Sequence, residues 1–236
     1  ETPIETEETF EEIDLELEKS QIAQFIDYYE IMIETNKHMN LTTITDLDEV
    51  IIKHFIDSLV INKVIVPTDE SIIDVGTGAG LPGIPIKIAF PDTGVVLLDS
   101  LKKRLKFLDQ VILDCDLIDI ETVHGRAEDI GRDPQYRESF DICVSRAVAN
   151  LSTLSEYCIP FVKKGGLFIA YKSGNIDEEL TNSKNAVNLL GGEIEDVKKL
   201  KLPKSDIDRS LVVIRKKKST LKRYPRSAGK PSREPL

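Results

Sequence analysis

The residues best placed to do chemistry lie in Ser71–Gly83, SIIDVGTGAGLPG. An apolar run (Ile72, Ile73, Val75) carries Asp74 and breaks into three alternating glycines, Gly76, Gly78 and Gly80, before apolar residues resume at Ile84, Ile86 and Ile88. That order predicts a buried strand, a tight turn and a helix start. Glycine admits positive φ and lets a ligand lie against bare backbone. The helix N-terminus adds unpaired N–H groups. A second apolar run, VVLLD, ends in Asp99, whose carboxylate can accept both ribose hydroxyls of a nucleoside. Leu81 stands where a dinucleotide G-x-G-x-x-G loop needs its third glycine, and no G-x-x-x-x-G-K-[ST] run occurs, which argues against dinucleotide and P-loop sites. The competing reading is a ligand-free turn with Asp99 capping the next helix. Three alternating glycines weigh against it, because each is entropically costly to order.

Three other groups of residues qualify. In His124-Gly125-Arg126-Ala127-Glu128-Asp129, a carboxylate can accept from an adenine amino group, or simply favour a helix start. In Ser145-Arg146-Ala147, Arg146 can orient a carboxylate, phosphate or base, or form a structural ion pair with Asp141 or a nearby acid. His54, Asp57 and Ser58 fall three and four residues apart on a predicted helix; they form either a polar cluster near a ligand or an ordinary helix surface.

The elements that position these residues follow from periodicity. Ser20 is placed to cap an amphipathic helix through Ile22, Phe25, Ile26, Tyr29, Met32 and Ile33, and Thr45 with Asp48 to box the start of a second near 48–61. From Ser71, strands near 71–75, 95–99, 119–123, 140–144 and 166–171 alternate with helices near 82–90, 101–114, 150–160 and 176–190. Two late strands, near 193–201 and 210–215, are close enough in sequence to pair antiparallel. Repeated βα units imply an α/β fold, a doubly wound and mostly parallel sheet, with ligands at the carboxyl ends of its strands. The expected division is an acidic segment 1–19, mobile at first, a helical cap 20–66, a ligand-binding domain 67–216 and a basic tail 217–236.

Composition narrows the partners. Cys115, Cys143 and Cys158 show no C-x-x-C spacing and predict core thiols of a reduced cytoplasmic protein, with no metal site. No stretch is long enough to span a membrane. The acidic start has no apolar signal core, and Glu1 in place of Met suggests a trimmed or altered start. The net charge is −10, but residues 1–30 alone carry −10 and residues 215–236 carry +8. The dense basic end favours a polyanion partner.

The D-x-G-x-G-x-G form resembles motif I of class I S-adenosylmethionine (SAM) methyltransferases, and longer stretches are more selective. NKHMNLTTI, IIKHFIDSL, DVGTGAGLPGIPIKI, LLDSLKKRLKFL, GRAED, FDICVSRAVANLSTLSEYC, GGLFIAYK, RSLVVIRK and KRYPRSAGKPSREPL resemble the RsmG (GidB) family of 16S ribosomal RNA guanine-N7 methyltransferases, from about residue 20 onward. The resemblance implies a Rossmann-like class I fold with an antiparallel last strand and an N-terminal helical cap. It implies SAM at Gly76, Leu81, Ala127, Glu128 and Arg146, with Asp99 and Ser100 at the ribose and Gly78 and Gly80 completing the loop. Arg146 is expected to orient cofactor or substrate, with no general base. The expected partner is 16S rRNA in the 30S subunit or its precursor, acted on by a monomer. RNA contact is expected from Lys53, His54 and Lys172 near the sheet rim and from the tail (Lys216, Lys217, Lys218, Lys222, Arg223, Arg226, Lys230, Arg233). The alternatives are a methyltransferase for another RNA or a small molecule, an NAD-dependent oxidoreductase, and a non-catalytic RNA-binding module.

Overall fold

A computed structural model describes residues 3–236, with side chains from Thr6 onward. The first two residues of the acidic segment lie outside the described residues. Helices α1 (Pro3–Glu11) and α2 (Lys19–Asn36) lead into a composite helix: α3 (Leu47–Val50), a π-helical turn (Ile51–Ile56), α4 (Asp57–Leu59) and a 3-10 turn (Val60–Lys63). The sheet then builds as β1 (Ser71–Val75), α5 (Gly83–Ala89), β2 (Gly94–Asp99), α6 (Lys102–Asp114), β3 (Ile120–His124), α7 (Ala127–Ile130), β4 (Phe140–Ser145), α8 (Leu151–Cys158), β5 (Val162–Ser173), α9 (Asp177–Leu189), β6 (Gly192–Lys201) and β7 (Asp208–Lys216), and the short α10 (Lys230–Arg233) closes the chain.

The strand order is β3-β2-β1-β4-β5-β7-β6, and β7 runs antiparallel to both neighbours. Helices cover both faces of the sheet, so strand residues are apolar in both directions. The pleat sorts them. Ile72, Leu97, Val144 and Ile169 enter one core beneath the cap, α5 and α6, while Ile73, Leu98, Cys143 and Phe168 enter the other beneath α8 and α9. All three cysteines are buried free thiols.

Local caps differ from the sequence reading. Asp46, not Thr45, accepts the Glu49 N–H at 3.2 Å to start the composite helix. Glu18 and Gln21, rather than Ser20, start α2, with the Glu18 N–H donating to the Gln21 side chain at 2.7 Å.

Both chain ends pack on the domain, against expectation. Phe10 of α1 is fully buried and stacks on Phe25 with centroids 5.1 Å apart, and Ile13 and Leu15 join the same core. The acidic groups around them had masked this apolar stripe. At the other end, Tyr224 enters the second core. Arg137 donates to the carbonyls of Thr220, Leu221 and Tyr224 at 2.9, 3.2 and 2.7 Å. Segment 217–236 is therefore docked along the domain rather than free.

Candidate active site

The carboxyl ends of β1 to β4 meet around a cavity of about 420 Å³. Val75 and Gly76 end β1, Asp99 and Ser100 end β2, Ala127 and Glu128 follow β3, and Ala147 and Val148 follow β4. Leu154 and Tyr157 of α8 and Arg104 of α6 complete the wall. Five predicted cofactor residues thus converge here: Gly76, Asp99, Ser100, Ala127 and Glu128.

The glycine loop shapes the floor. Gly76 adopts φ +70°, and a Cβ there would lie 3.3 Å from the Ala147 side chain, narrowing the gap between β1 and β4. The Gly78 N–H donates to Asp99 Oδ2 at 2.9 Å, and the Leu101 N–H donates to Oδ1 at 2.9 Å. These two bonds fix the carboxylate, which is buried, and each oxygen keeps a lone pair. Arg104 stands 3.6 Å away. Gly80 and Leu81 do not line the cavity. They turn the chain into α5, with both N–H groups donating to the Thr77 carbonyl. Tyr28 of the cap reaches across to donate to the Ala79 carbonyl, so helix α2 braces the loop from behind.

Asp74 lies beneath this loop, fully buried. Its Oδ2 accepts from Thr77 Oγ1 at 2.7 Å and from the Gly83 N–H at 2.9 Å, while Oδ1 has no partner. Burial raises its pKa to about 7 against the pull of those two bonds.

Arg146 is positioned by the cap, and its acid is Asp57, not Asp141. Nη2 pairs with Asp57 Oδ2 at 3.2 Å and donates to the Lys53 carbonyl at 3.3 Å, while Nη1 reaches Ser58 Oγ at 3.3 Å. The π-helical turn interrupts the regular α-helical bonding register, as such turns often do at functional sites. Arg209, which no local sequence signal marks, takes the other Asp57 oxygen at 3.0 Å. Asp141 instead holds Ser71 and Lys163. Asp57 and Ser58 thus meet the β4 loop through their side chains, and His54 only through its backbone carbonyl. His54 Nε2 lies 2.8 Å from Thr42 Oγ1, and burial, then the nearby Arg146 charge, lower its pKa to about 4.

Several residues expected at RNA are engaged inside the protein. His54 is buried. Lys172 pairs with Glu179 at 2.8 Å and donates to the Ala149 carbonyl. Lys216 is 1% exposed and donates to the Ile159 carbonyl at 2.9 Å. Arg226 closes on fully buried Glu156 with Nη2–Oε1 at 2.8 Å. Lys53 pairs with Glu49 at 3.0 Å, and Lys230 lies 3.9 Å from Glu234; both remain partly accessible. Lys222 and Arg223 are exposed, with Arg223 over the Tyr224 ring. Spacing alone could not separate these fates, because each cation finds its acid or carbonyl through the fold. Of the residues the sequence reading left out, Arg104, Leu154 and Tyr157 reach the cavity from helices and Val148 from the loop after β4.

These features fit a bound nucleoside. Asp99 has acceptor capacity left for ribose hydroxyls, Glu128 lines the cavity after the neighbouring strand β3, Leu98, Val148, Leu154 and Tyr157 offer apolar surface for a flat base, and Gly76 leaves backbone bare. Among the described residues no group of His, Cys, Asp or Glu is arranged to hold a metal ion, and no helix is long and apolar enough to cross a membrane.

Sheet order and site together define a class I SAM-dependent methyltransferase. The fold is shared with precorrin-6y C5,15-methyltransferase of Geobacter metallireducens (TM-score 0.50, 13% identity, 75% of this chain and 91% of that one). It is shared also with the YcgJ protein of Bacillus subtilis (TM-score 0.52, 13% identity, 70% of this chain and 99% of that one). The family described as rRNA small subunit methyltransferase G (GidB) matches residues 21–212, and the chain belongs to it. Ribosomal RNA small subunit methyltransferase G of Acetivibrio thermocellus is 56% identical over 220 residues, 93% of this chain and 90% of that protein. The protein of that name from Lachnoclostridium phytofermentans is 51% identical over 223 residues, 94% of this chain and 92% of that protein. The chain is a SAM-dependent methyltransferase of small-subunit ribosomal RNA.

Proposed function

We propose that the methyl acceptor is N7 of a single guanine in 16S rRNA, reached in the 30S subunit or its precursor, in the cytoplasm. The observation that carries this reading is the neutral surface after β4. Ala147 and fully exposed Val148 line the cavity, while the neighbouring Arg146 cation is drawn away onto Asp57 and the cap carbonyls. Guanine N7 presents an in-plane lone pair and carries no proton at neutral pH, so its attack requires no general base. The modified base is cationic, and a neutral wall tolerates it better than an adjacent guanidinium.

When bound, SAM supplies an electrophilic methyl group on a sulfonium. Gly76 and Ala127 would offer it backbone, Asp99 and Ser100 would face its ribose, and Glu128 would accept from its adenine amino group. Arg146 orients the loop after β4 by tying it to the cap, and Val148 gives the incoming base an apolar face. Catalysis is then positioning with electrostatic fit rather than proton transfer.

The test is to incubate the protein with methyl-labelled SAM and small subunits lacking the modification, digest the RNA and identify the labelled nucleoside by mass spectrometry. Label in 7-methylguanosine at one position is expected. Label in any other nucleoside, or none in rRNA while SAM still binds, removes the N7 assignment.

A further inference from the structure

The basic C-terminal segment invites a reading as an RNA arm, but its contacts point inward. Glu128 sits on the one-turn helix α7 at the edge of the cofactor cavity and is 5% exposed. Its Oε2 accepts the Gly229 backbone N–H at 2.8 Å. Among the described residues no donor reaches Oε1. Among the described residues the one ion pair of this carboxylate is with Arg126, 3.9 Å from Oε2 and 60% exposed. Without Gly229 the Glu128 side chain would be free to swing toward Arg126 and solvent.

The segment that delivers Gly229 is anchored on both sides of it. Upstream, Arg226 grips Glu156 through its backbone N–H at 2.7 Å and its guanidinium at 2.8 Å. Downstream, Thr153 Oγ1 donates to the Pro231 carbonyl at 2.9 Å. Both anchors belong to α8, the helix that gives Leu154 and Tyr157 to the cavity wall. Gly229 holds φ +85°, a left-handed conformation that aims its N–H at the carboxylate.

We propose that segment 219–236 is a positioning element of the cofactor site, with the Gly229 N–H holding the Glu128 carboxylate so that Oε1 faces the nucleoside of SAM. The proposal rests on the assignment of Glu128 to bound SAM. It places the segment's role in cofactor affinity, distinct from any contact its exposed Lys222 and Arg223 make with RNA.

The discriminating variant is Gly229→Val. A Cβ at this position meets only the flexible end of Arg233, at 3.4 Å, so space is available. A β-branched residue, however, resists the left-handed φ, which displaces the N–H and leaves the Arg226–Glu156 anchor in place. SAM binding is measured by calorimetry for the full-length protein, Gly229→Val, Glu128→Gln and the double variant, with melting temperatures alongside. Each single change is expected to raise the Kd about tenfold, the scale of one hydrogen bond to a charged group. The double variant is expected to be no weaker than the weaker single, because both act on one contact. In turnover, Gly229→Val should raise KM for SAM with kcat and KM for the subunit unchanged, whereas general loosening would move all three. A Gly229→Val Kd within twofold of the full-length protein while Glu128→Gln weakens binding overturns the role of the segment and spares the Glu128 assignment. Additive losses in the double variant overturn the route through Glu128. A silent Glu128→Gln overturns the assignment itself and the proposal with it.

Discussion

Asp74 offers the sharpest quantitative test of the site. Its carboxylate is fully buried beneath the glycine loop with one oxygen unpartnered, and its pKa is raised from 3.8 to about 7. A folded-state pKa above the unfolded one means that the native protein binds more protons between those values. Stability from this group is therefore fully present below pH 3.8 and is lost as pH rises through 7. At 1.36 kcal/mol per unit, the loss across that window is about 4 kcal/mol. In Asp74→Asn the carbonyl oxygen can still accept from Thr77 and Gly83, and the amide nitrogen replaces the unpartnered oxygen, giving an offset that does not change with pH. Urea unfolding of both proteins at half-unit steps from pH 4 to 8 should show the variant gaining on the native protein by about 4 kcal/mol and levelling above pH 7. A difference that stays flat across the series would refute the reasoning, since it would mean Asp74 is ionised throughout.

His54 works in the opposite direction. Its pKa is lowered from 6.5 to about 4, so its stability is complete above pH 6.5 and about 3 kcal/mol is lost as pH falls to 4; in the same unfolding series His54→Gln should gain about 3 kcal/mol on the native protein as pH falls from 6.5 to 4, exposing the Asp74 slope. The two groups nearly cancel in the native protein, and each slope appears only when the other is removed. Asp57→Asn should destabilise the fold by about 3 kcal/mol, by leaving Arg146 and Arg209 without their shared carboxylate, and should lower kcat/KM for methyl transfer at least tenfold; unchanged kinetics would remove Arg146 from the orienting role. Tyr171→Phe deletes the hydroxyl that donates to the Ser58 carbonyl at 2.6 Å in the buried seam between β5 and the cap. The expected loss is about 1–2 kcal/mol in equilibrium unfolding, with the SAM Kd unchanged.

The sequence by itself determined the order of strands and helices from Ser71 onward, the glycine loop and the place of Asp99. These are short-range properties: a strand buried on both faces, a turn requiring positive φ and a helix with one apolar stripe each leave their pattern within a dozen residues. The family was legible for the same reason, since its motifs are contiguous. The composite helix was legible as a helix, but its π-helical turn and the Asp46 cap depend on backbone geometry that several residue types permit.

Tertiary structure alone decided which charge meets which. By sequence the acid named for Arg146 was Asp141 or one nearby, and its partner is Asp57, which also binds Arg209 from 152 residues away. Arg226 and Glu156 are 70 residues apart, and Gly229 and Glu128 are 101 apart. A run of lysines and arginines carries no local mark of which members will be buried in ion pairs and which will face solvent. That choice follows from which acids the packing leaves desolvated and in need of a donor. The same packing turned an acidic N-terminus into a helix with Phe10 in the core and docked a basic C-terminus onto Glu156 and Glu128.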